Sequence, residues 1–148
     1  MIARALASGF GAGFFPRAPG TFASFLAAIA GAGLIALGGH ALPIATALAA
    51  LGGVFAIAAA GAGTGDPSWV VIDEIAGQWL ALTPLHEPRW APIALGFALF
   101  RLFDIVKPGP VGWLDRRHDA LGVMGDDLAA GALAALLLWL VGKMGGWR

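Results

Sequence analysis

Asp73-Glu74 interrupts an apolar run, with Trp69-Val70-Val71-Ile72 before it and Ile75-Ala76-Gly77 after it. Asp126-Asp127 opens a second apolar stretch in the same way. Two carboxylate pairs, with Asp104 and Asp66 as further candidates, offer the hard oxygen ligands that Mg²⁺ takes. That ion commonly keeps several waters and shares substrate phosphate with one or two carboxylates. A single acidic pair at a helix start reads equally well as a cap, favoured by the dipole and by orphan N–H groups. Two pairs in so apolar a chain favour a site, because ionisable groups in or near a bilayer are costly.

Arg101, Asp104 and Lys107 recur at i, i+3 and i+6, and so share one broad side of a helix. Asp104 can orient both cations while they meet a phosphate, Arg101 bidentately and Lys107 as a point charge. The competing account is a chain of structural ion pairs at a helix end. Pro108 stops that helix, and Gly109-Pro110 sets the exit. Arg17 and a helix start at Pro19-Gly20-Thr21 offer a second anion contact. The clustering argues for the site: of eighteen Asp, Glu, Lys and Arg, nine lie between Arg101 and Asp127.

Other motifs fail. Val70-Val71-Ile72-Asp73-Glu74 resembles a Walker B strand, yet no GxxxxGK[ST] accompanies it, and the glycines from Gly61 to Gly65 precede no lysine. His40, His86 and His118 lack zinc spacing, and Ser8, Ser24 and Ser68 have no neighbouring base. With no cysteine, disulfides, thiolate nucleophiles and Cys metal sites are excluded. A net charge of zero argues against nucleic acid as a partner.

The elements that must position these residues are apolar. The 148 residues are 59% hydrophobic and 12% charged; a soluble domain averages about 25% charged. The reading is one integral membrane domain over 1–148. Met1 to Gly13 has no secretory apolar core, so the chain is expected to be anchored by its own body. Five apolar segments can be marked, at about Phe22–Leu37, Pro43–Gly63, Trp69–Leu82, Trp90–Phe103 and Leu128–Gly142. Ala and Leu richness without period-2 alternation makes them helices. Only the second reaches the ~20 residues that comfortably span a hydrocarbon core. Gly38-Gly39, Gly65-Asp66-Pro67, Thr83-Pro84 and Pro108-Gly109-Pro110 separate them. Trp69, Trp90, Trp113 and Trp147 stand at segment edges, as interfacial aromatics or as ordinary packing residues do.

With the amino terminus inside, Arg4, Arg17, Arg101, Lys107, Arg116 and Arg117 fall on the cytoplasmic side. Arg89, Lys143 and Arg148 fall outside. Five alternating spans then bring Pro19-Gly20-Thr21, Asp66, Asp73-Glu74, Arg101/Asp104/Lys107 and Asp126-Asp127 to one face. The expectation is a cytoplasm-facing site at the membrane surface.

Taken together, these motifs resemble the phosphatidylglycerophosphatase A family over nearly the whole chain. The resemblance rests on Phe15-Pro16-Arg17-Ala18-Pro19-Gly20-Thr21, on Asp66, and on Val71-Ile72-Asp73-Glu74-Ile75-Ala76-Gly77-Gln78-Trp79. It continues through Phe100 to Pro110 and Asp115-Arg116, and ends with Gly122-Val123-Met124-Gly125-Asp126-Asp127-Leu128-Ala129-Ala130-Gly131. It implies an all-α, membrane-embedded bundle with a central helix at about 69–83 surrounded by the others. It also implies a Mg²⁺-dependent phosphatase of the bacterial cytoplasmic membrane. The substrate would be a phospholipid in the bilayer: phosphatidylglycerophosphate, hydrolysed to phosphatidylglycerol and phosphate. The chain departs from the family at Arg117-His118-Asp119-Ala120-Leu121, where relatives usually carry a Gly-Gly pair, so head-group preference is less constrained than reaction class.

On that reading Asp73, Glu74, Asp126 and Asp127 hold the metal. Arg101 and Lys107 stabilise transition-state charge, and Asp104 or Asp115 positions water or acts as base. Arg17, Thr21, Arg116 and Asp66 meet the substrate. Two alternatives stand beside it: a phosphatase of another lipid phosphate such as phosphatidic acid, and a small non-enzymatic transporter subunit. The transporter is disfavoured because no internal repeat is visible and the polar residues lie at helix ends.

Overall fold

A computed structural model describes residues 1–62 and 67–145, so Asp66, Trp147 and Arg148 lie outside the described residues. The described residues form helices and no strand: α1 (Ile2–Ala7), α2 (Pro19–Ala36), α3 (Ala41–Ala59), α4 (Ile72–Leu82), α5 (Trp90–Val106), α6 (Pro110–Asp115) and α7 (Ala120–Gly145), with a 3-10 turn at Ala12–Phe14. The five expected apolar segments correspond to α2, α3, α4, α5 and α7.

Two boundaries moved in ways that matter. The third segment becomes helical only at Ile72, leaving an 11-residue helix that is too short to span a bilayer alone. The last helix starts at Ala120 rather than Leu128 and runs for 26 residues. Asp119 explains the early start: its Oδ1 accepts the Gly122 N–H at 2.7 Å, satisfying an orphan donor of the first turn. Asp126-Asp127 therefore lies inside α7 and does not cap it.

α4 is the central helix. Ile72, Asp73, Ala76, Gly77, Gln78, Ala81 and Leu82 are all buried along it, although a helix of this composition would ordinarily hide one face only. Its neighbours supply the burial. Ile72 and Ala76 pack with Ile57 of α3 and with Val123 and Met124 of α7. Ala81 packs with Phe100 of α5 and with Ala130 and Ala134 of α7. Leu82 meets Ala28, Ala32 and Ile35 of α2, and Ile93 of α5. α2 runs parallel to α4: Gly20 abuts Glu74, the Trp79 indole donates to the Ala27 carbonyl at 2.9 Å, and Gly31 abuts Leu82. α5 runs antiparallel, with Gly96 against Leu82 and Phe100 against Gly77.

The outer surface is apolar. Phe25, Leu26 and Ile29 of α2, Ile44, Leu48, Leu51 and Phe55 of α3, and Leu136, Leu137, Trp139, Leu140 and Val141 of α7 are exposed. Among the described residues, α2, α3 and α7 are long and apolar enough to cross a membrane. Exposed patches of this extent need an apolar partner, and a bilayer supplies one on every side.

Candidate active site

The alternating helix directions bring the starts of α2 and α4, the end of α5 and the early turns of α7 to one end of the bundle. Asp73 and Glu74 occupy the first turn of α4. Asp73 is 5% exposed, and its Oδ1 accepts the Glu74 N–H at 3.1 Å. Asp127 of α7 is 4% exposed and points at the same place. One ligand oxygen from each of Asp73, Glu74 and Asp127 lies within 4.8 Å of the other two.

Glycines permit that approach. A methyl group on Gly77 would meet the Asp127 carbonyl oxygen at 2.6 Å, and one on Gly131 would run into the Gly77 carbonyl. The backbones of α4 and α7 therefore touch directly beside the acids, as small residues allow in membrane bundles. Gly20 does the same for α2, since a Cβ there would collide with the Glu74 carboxylate.

α5 brings the cations. Arg101 pairs with Asp104 at 2.6 Å and reaches Ser24 Oγ at 3.5 Å, while Ser24 donates to the Gly20 carbonyl at 2.7 Å. Asp104 also lies close to Asp127. Asp104 therefore connects the guanidinium to the acidic cluster. Beyond the helix end, Lys107 adopts a left-handed conformation at φ 50°, an unusual state for a residue with a side chain and one concentrated at functional sites. This turn lets Lys107 Nζ donate to Asp126 Oδ2 at 2.9 Å and also to Asp115. Burial by itself would lower the Lys107 ammonium, but the hydrogen bonds to Asp115 and Asp126 outweigh it and hold the group well above its ordinary value.

The expected metal set is thus divided by geometry. Successive helical residues point about 100° apart, so Asp127 turns toward α4 while its neighbour Asp126 turns toward Lys107. Asp126 stands outside the three-acid group. Of the expected substrate contacts, Thr21 is half-buried directly after Gly20, whereas Arg17 and Arg116 are exposed around the same end. A small pocket beside them is lined by Asp115, Arg117, His118, Gly122, Val123 and Asp126. It falls on the segment where the chain departs from the family pattern.

The donor set fits a hard divalent cation. All three close ligands are carboxylates, the hard oxygen donors that such an ion takes. Sequence reasoning missed Gln78 and Ser24, which are fully buried. Polar residues in the middle of apolar helices at helical spacing from Glu74 and Gly20 were the available signal.

Comparisons with known proteins show the family. The profile of the family described as phosphatidylglycerophosphatase A matches residues 5–142. The phosphatidylglycerophosphatase A of Escherichia coli is 35% identical over 93% of this chain and 81% of its own. That of Haemophilus influenzae is 36% identical over 92% and 86%. A protein of Bacteroides thetaiotaomicron, named provisionally as a phosphatidylinositol-3-phosphatase, is 38% identical over 93% and 94%. No solved structure matches the chain significantly. By profile and by identity over nearly its full length, the chain belongs to the phosphatidylglycerophosphatase A family.

Proposed function

We propose that the protein is a membrane phosphatase that hydrolyses phosphatidylglycerophosphate to phosphatidylglycerol and inorganic phosphate. The observation that carries this reading is the meeting of Asp73, Glu74 and Asp127 with Arg101 and Lys107 at one end of an apolar bundle. A phosphomonoester on a lipid head group presents two negative charges at the membrane surface, where such a cluster would receive them.

In this reading Asp73, Glu74 and Asp127 hold Mg²⁺, which would polarise the phosphoryl oxygens and lower the pKa of water. Asp126 anchors Lys107, and Lys107 and Arg101 stabilise charge on the phosphoryl oxygens as it develops. Water attacks phosphorus, the phosphorus–oxygen bond to glycerol breaks, and the glycerol oxygen leaves with a proton. Asp104 and Asp115, each hydrogen-bonded to a cation, are the candidates to position water or move that proton. Arg17, Thr21 and Arg116 would serve as head-group contacts, and Asp66 is retained as a fourth.

We place the site at the cytoplasmic face of the membrane. Arg4, Arg17, Arg101, Lys107, Arg116 and Arg117 fall at the site end of the bundle and Arg89 and Lys143 at the other, which supports that orientation by the positive-inside rule. The provisional name of the Bacteroides relative supports a second substrate, phosphatidylinositol 3-phosphate.

The test is phosphate release by the purified protein in detergent, with Mg²⁺ and with EDTA. Phosphatidylglycerophosphate, phosphatidic acid and phosphatidylinositol 3-phosphate serve as parallel substrates. Mg²⁺-dependent release favouring phosphatidylglycerophosphate is expected. Preference for another lipid would replace the substrate, and release from none by folded protein would overturn the reading.

A further inference from the structure

Four buried side-chain atoms lack a hydrogen-bond partner among the described residues: Glu74 Oε2, Gln78 Oε1, Gln78 Nε2 and Arg101 Nε. The helix registers set the residues that carry them at one level of the bundle. Gln78 follows Glu74 by one helical turn and lies on the same side of α4. Antiparallel packing sets Leu82 against Gly96 and Gly77 against Phe100, which brings Gln78 level with Phe100 and Arg101. On the α2 side, Gly20 abuts Glu74 and Ala27 receives the Trp79 indole N–H, so Ser24 lies at the level of Gln78. Ser24 is the residue that Arg101 reaches.

Gln78 is 0% exposed. An amide buried without partners is destabilising, and a hydrocarbon side chain of the same length would avoid that cost. The four atoms also match in kind. Two are acceptors, Glu74 Oε2 and Gln78 Oε1, and two are donors, Gln78 Nε2 and Arg101 Nε. A water molecule offers two hydrogens and two lone pairs, the complement of that set. A phosphoryl oxyanion would satisfy the donors and repel the acceptors. Buried water characteristically makes about three hydrogen bonds to groups of this kind.

We propose that Gln78 is a positioning residue for the phosphatase site: with Glu74 and Arg101 it holds ordered water beneath the acidic cluster. That water orients the Glu74 carboxylate, which would share in holding the cation, and sets the plane of the Arg101 guanidinium. Gln78 touches neither substrate nor metal and acts through these two residues. The inference rests on reading the cluster as a metal-dependent phosphatase centre. It adds a supporting shell of the kind whose loss typically lowers metal affinity or activity about 10–100-fold.

The experiment compares wild type with Gln78→Met, which keeps the side-chain length and removes both hydrogen-bonding groups. Three quantities are read: thermal midpoint in detergent, Mn²⁺ affinity by electron paramagnetic resonance, and kcat with KM for lipid-phosphate hydrolysis. The expected result is an unchanged or raised midpoint, Mn²⁺ affinity weakened about 10–100-fold, and kcat lowered in the same range with KM little changed. Gln78→Glu, which restores an acceptor at the same length, should recover part of the Mn²⁺ affinity. If Gln78→Met does not fold, Gln78→Leu carries the same comparison. Wild-type Mn²⁺ affinity in the folded apolar variant overturns the proposal, whatever the activity. A wild type that binds Mn²⁺ but hydrolyses no lipid would sink the proposed function alone, because the Mn²⁺ comparison still decides the role of Gln78.

Discussion

Lys107 Nζ lies 2.9 Å from Asp126 Oδ2, and this tie separates two adjacent acids that the sequence presents as a pair. Asp126 serves the cation, while Asp127 joins Asp73 and Glu74. The division follows from helical geometry and from the left-handed turn at Lys107, which ends α5 and swings the ammonium back over α7. Neighbouring residues of one helix thereby hold the Lys107 ammonium and complete the three-acid group.

Replacing Lys107 should therefore damage catalysis more than folding. Lys107→Met is expected to lower kcat about 10²–10³-fold, the range for losing one preorganised charge-stabilising donor. Single-turnover phosphate release checks this. A variant within threefold of wild type would remove Lys107 from the site.

The same lysine yields a pH prediction. Its folded-state pKa is raised, with hydrogen bonds to Asp115 and Asp126 overcoming the opposing effect of burial. A raised cation contributes stability that is fully present below its unfolded value of about 10.4, and loses it as pH climbs through the folded value. The difference in thermal midpoint between wild type and Lys107→Met should then stay constant from about pH 7 to pH 9.5. A difference that collapses within that window would show that the ammonium is not held as described.

Asp73→Asn and Asp127→Asn should each weaken Mn²⁺ binding by at least about tenfold and lower activity in parallel. Asp126→Asn should leave Mn²⁺ binding closer to wild type while lowering kcat, because its carboxylate serves Lys107. Isothermal titration with Mn²⁺ and phosphate-release assays separate the two effects. Equal loss of Mn²⁺ affinity in all three variants would return Asp126 to the metal set.

The glycine contacts predict a purely steric penalty. Gly131→Ala would drive a methyl into the Gly77 carbonyl, and overpacking of this kind costs about 1–3 kcal/mol. Gly33, in the last turn of α2, has open space where its Cβ would sit. Gly33→Ala should leave stability unchanged or raise it by about 0.5–1 kcal/mol. Thermal unfolding in one detergent compares them, and similar midpoints for both variants would show that α4 and α7 are not in backbone contact.

Much of this protein could be read from residue types alone. Charge is rare in the chain, so each acid or base standing in an apolar run had to have a purpose, and Asp73, Glu74, Asp127, Arg101 and Lys107 were legible for that reason. Breakers such as Gly38-Gly39 and Pro108 marked where helices end, because they act locally through φ and a missing donor. Counting those breaks was enough to alternate the helices and to gather the polar ends on one face.

What tertiary structure alone decided is which groups meet. Helical geometry turns Asp126 and Asp127 apart, but no local rule names their partners, which come from the turn after α5 and from α4, distant in sequence. Nor could spacing reveal that Gln78 is wholly enclosed, since burial depends on the α2, α5 and α7 surfaces packed around α4. The start of α7 at Ala120 turned on one hydrogen bond from the Gly122 N–H to the Asp119 carboxylate. Propensity and polarity are properties of a residue and its near neighbours, whereas ligand sets, ion-pair partners and enclosed amides are properties of helices brought into contact.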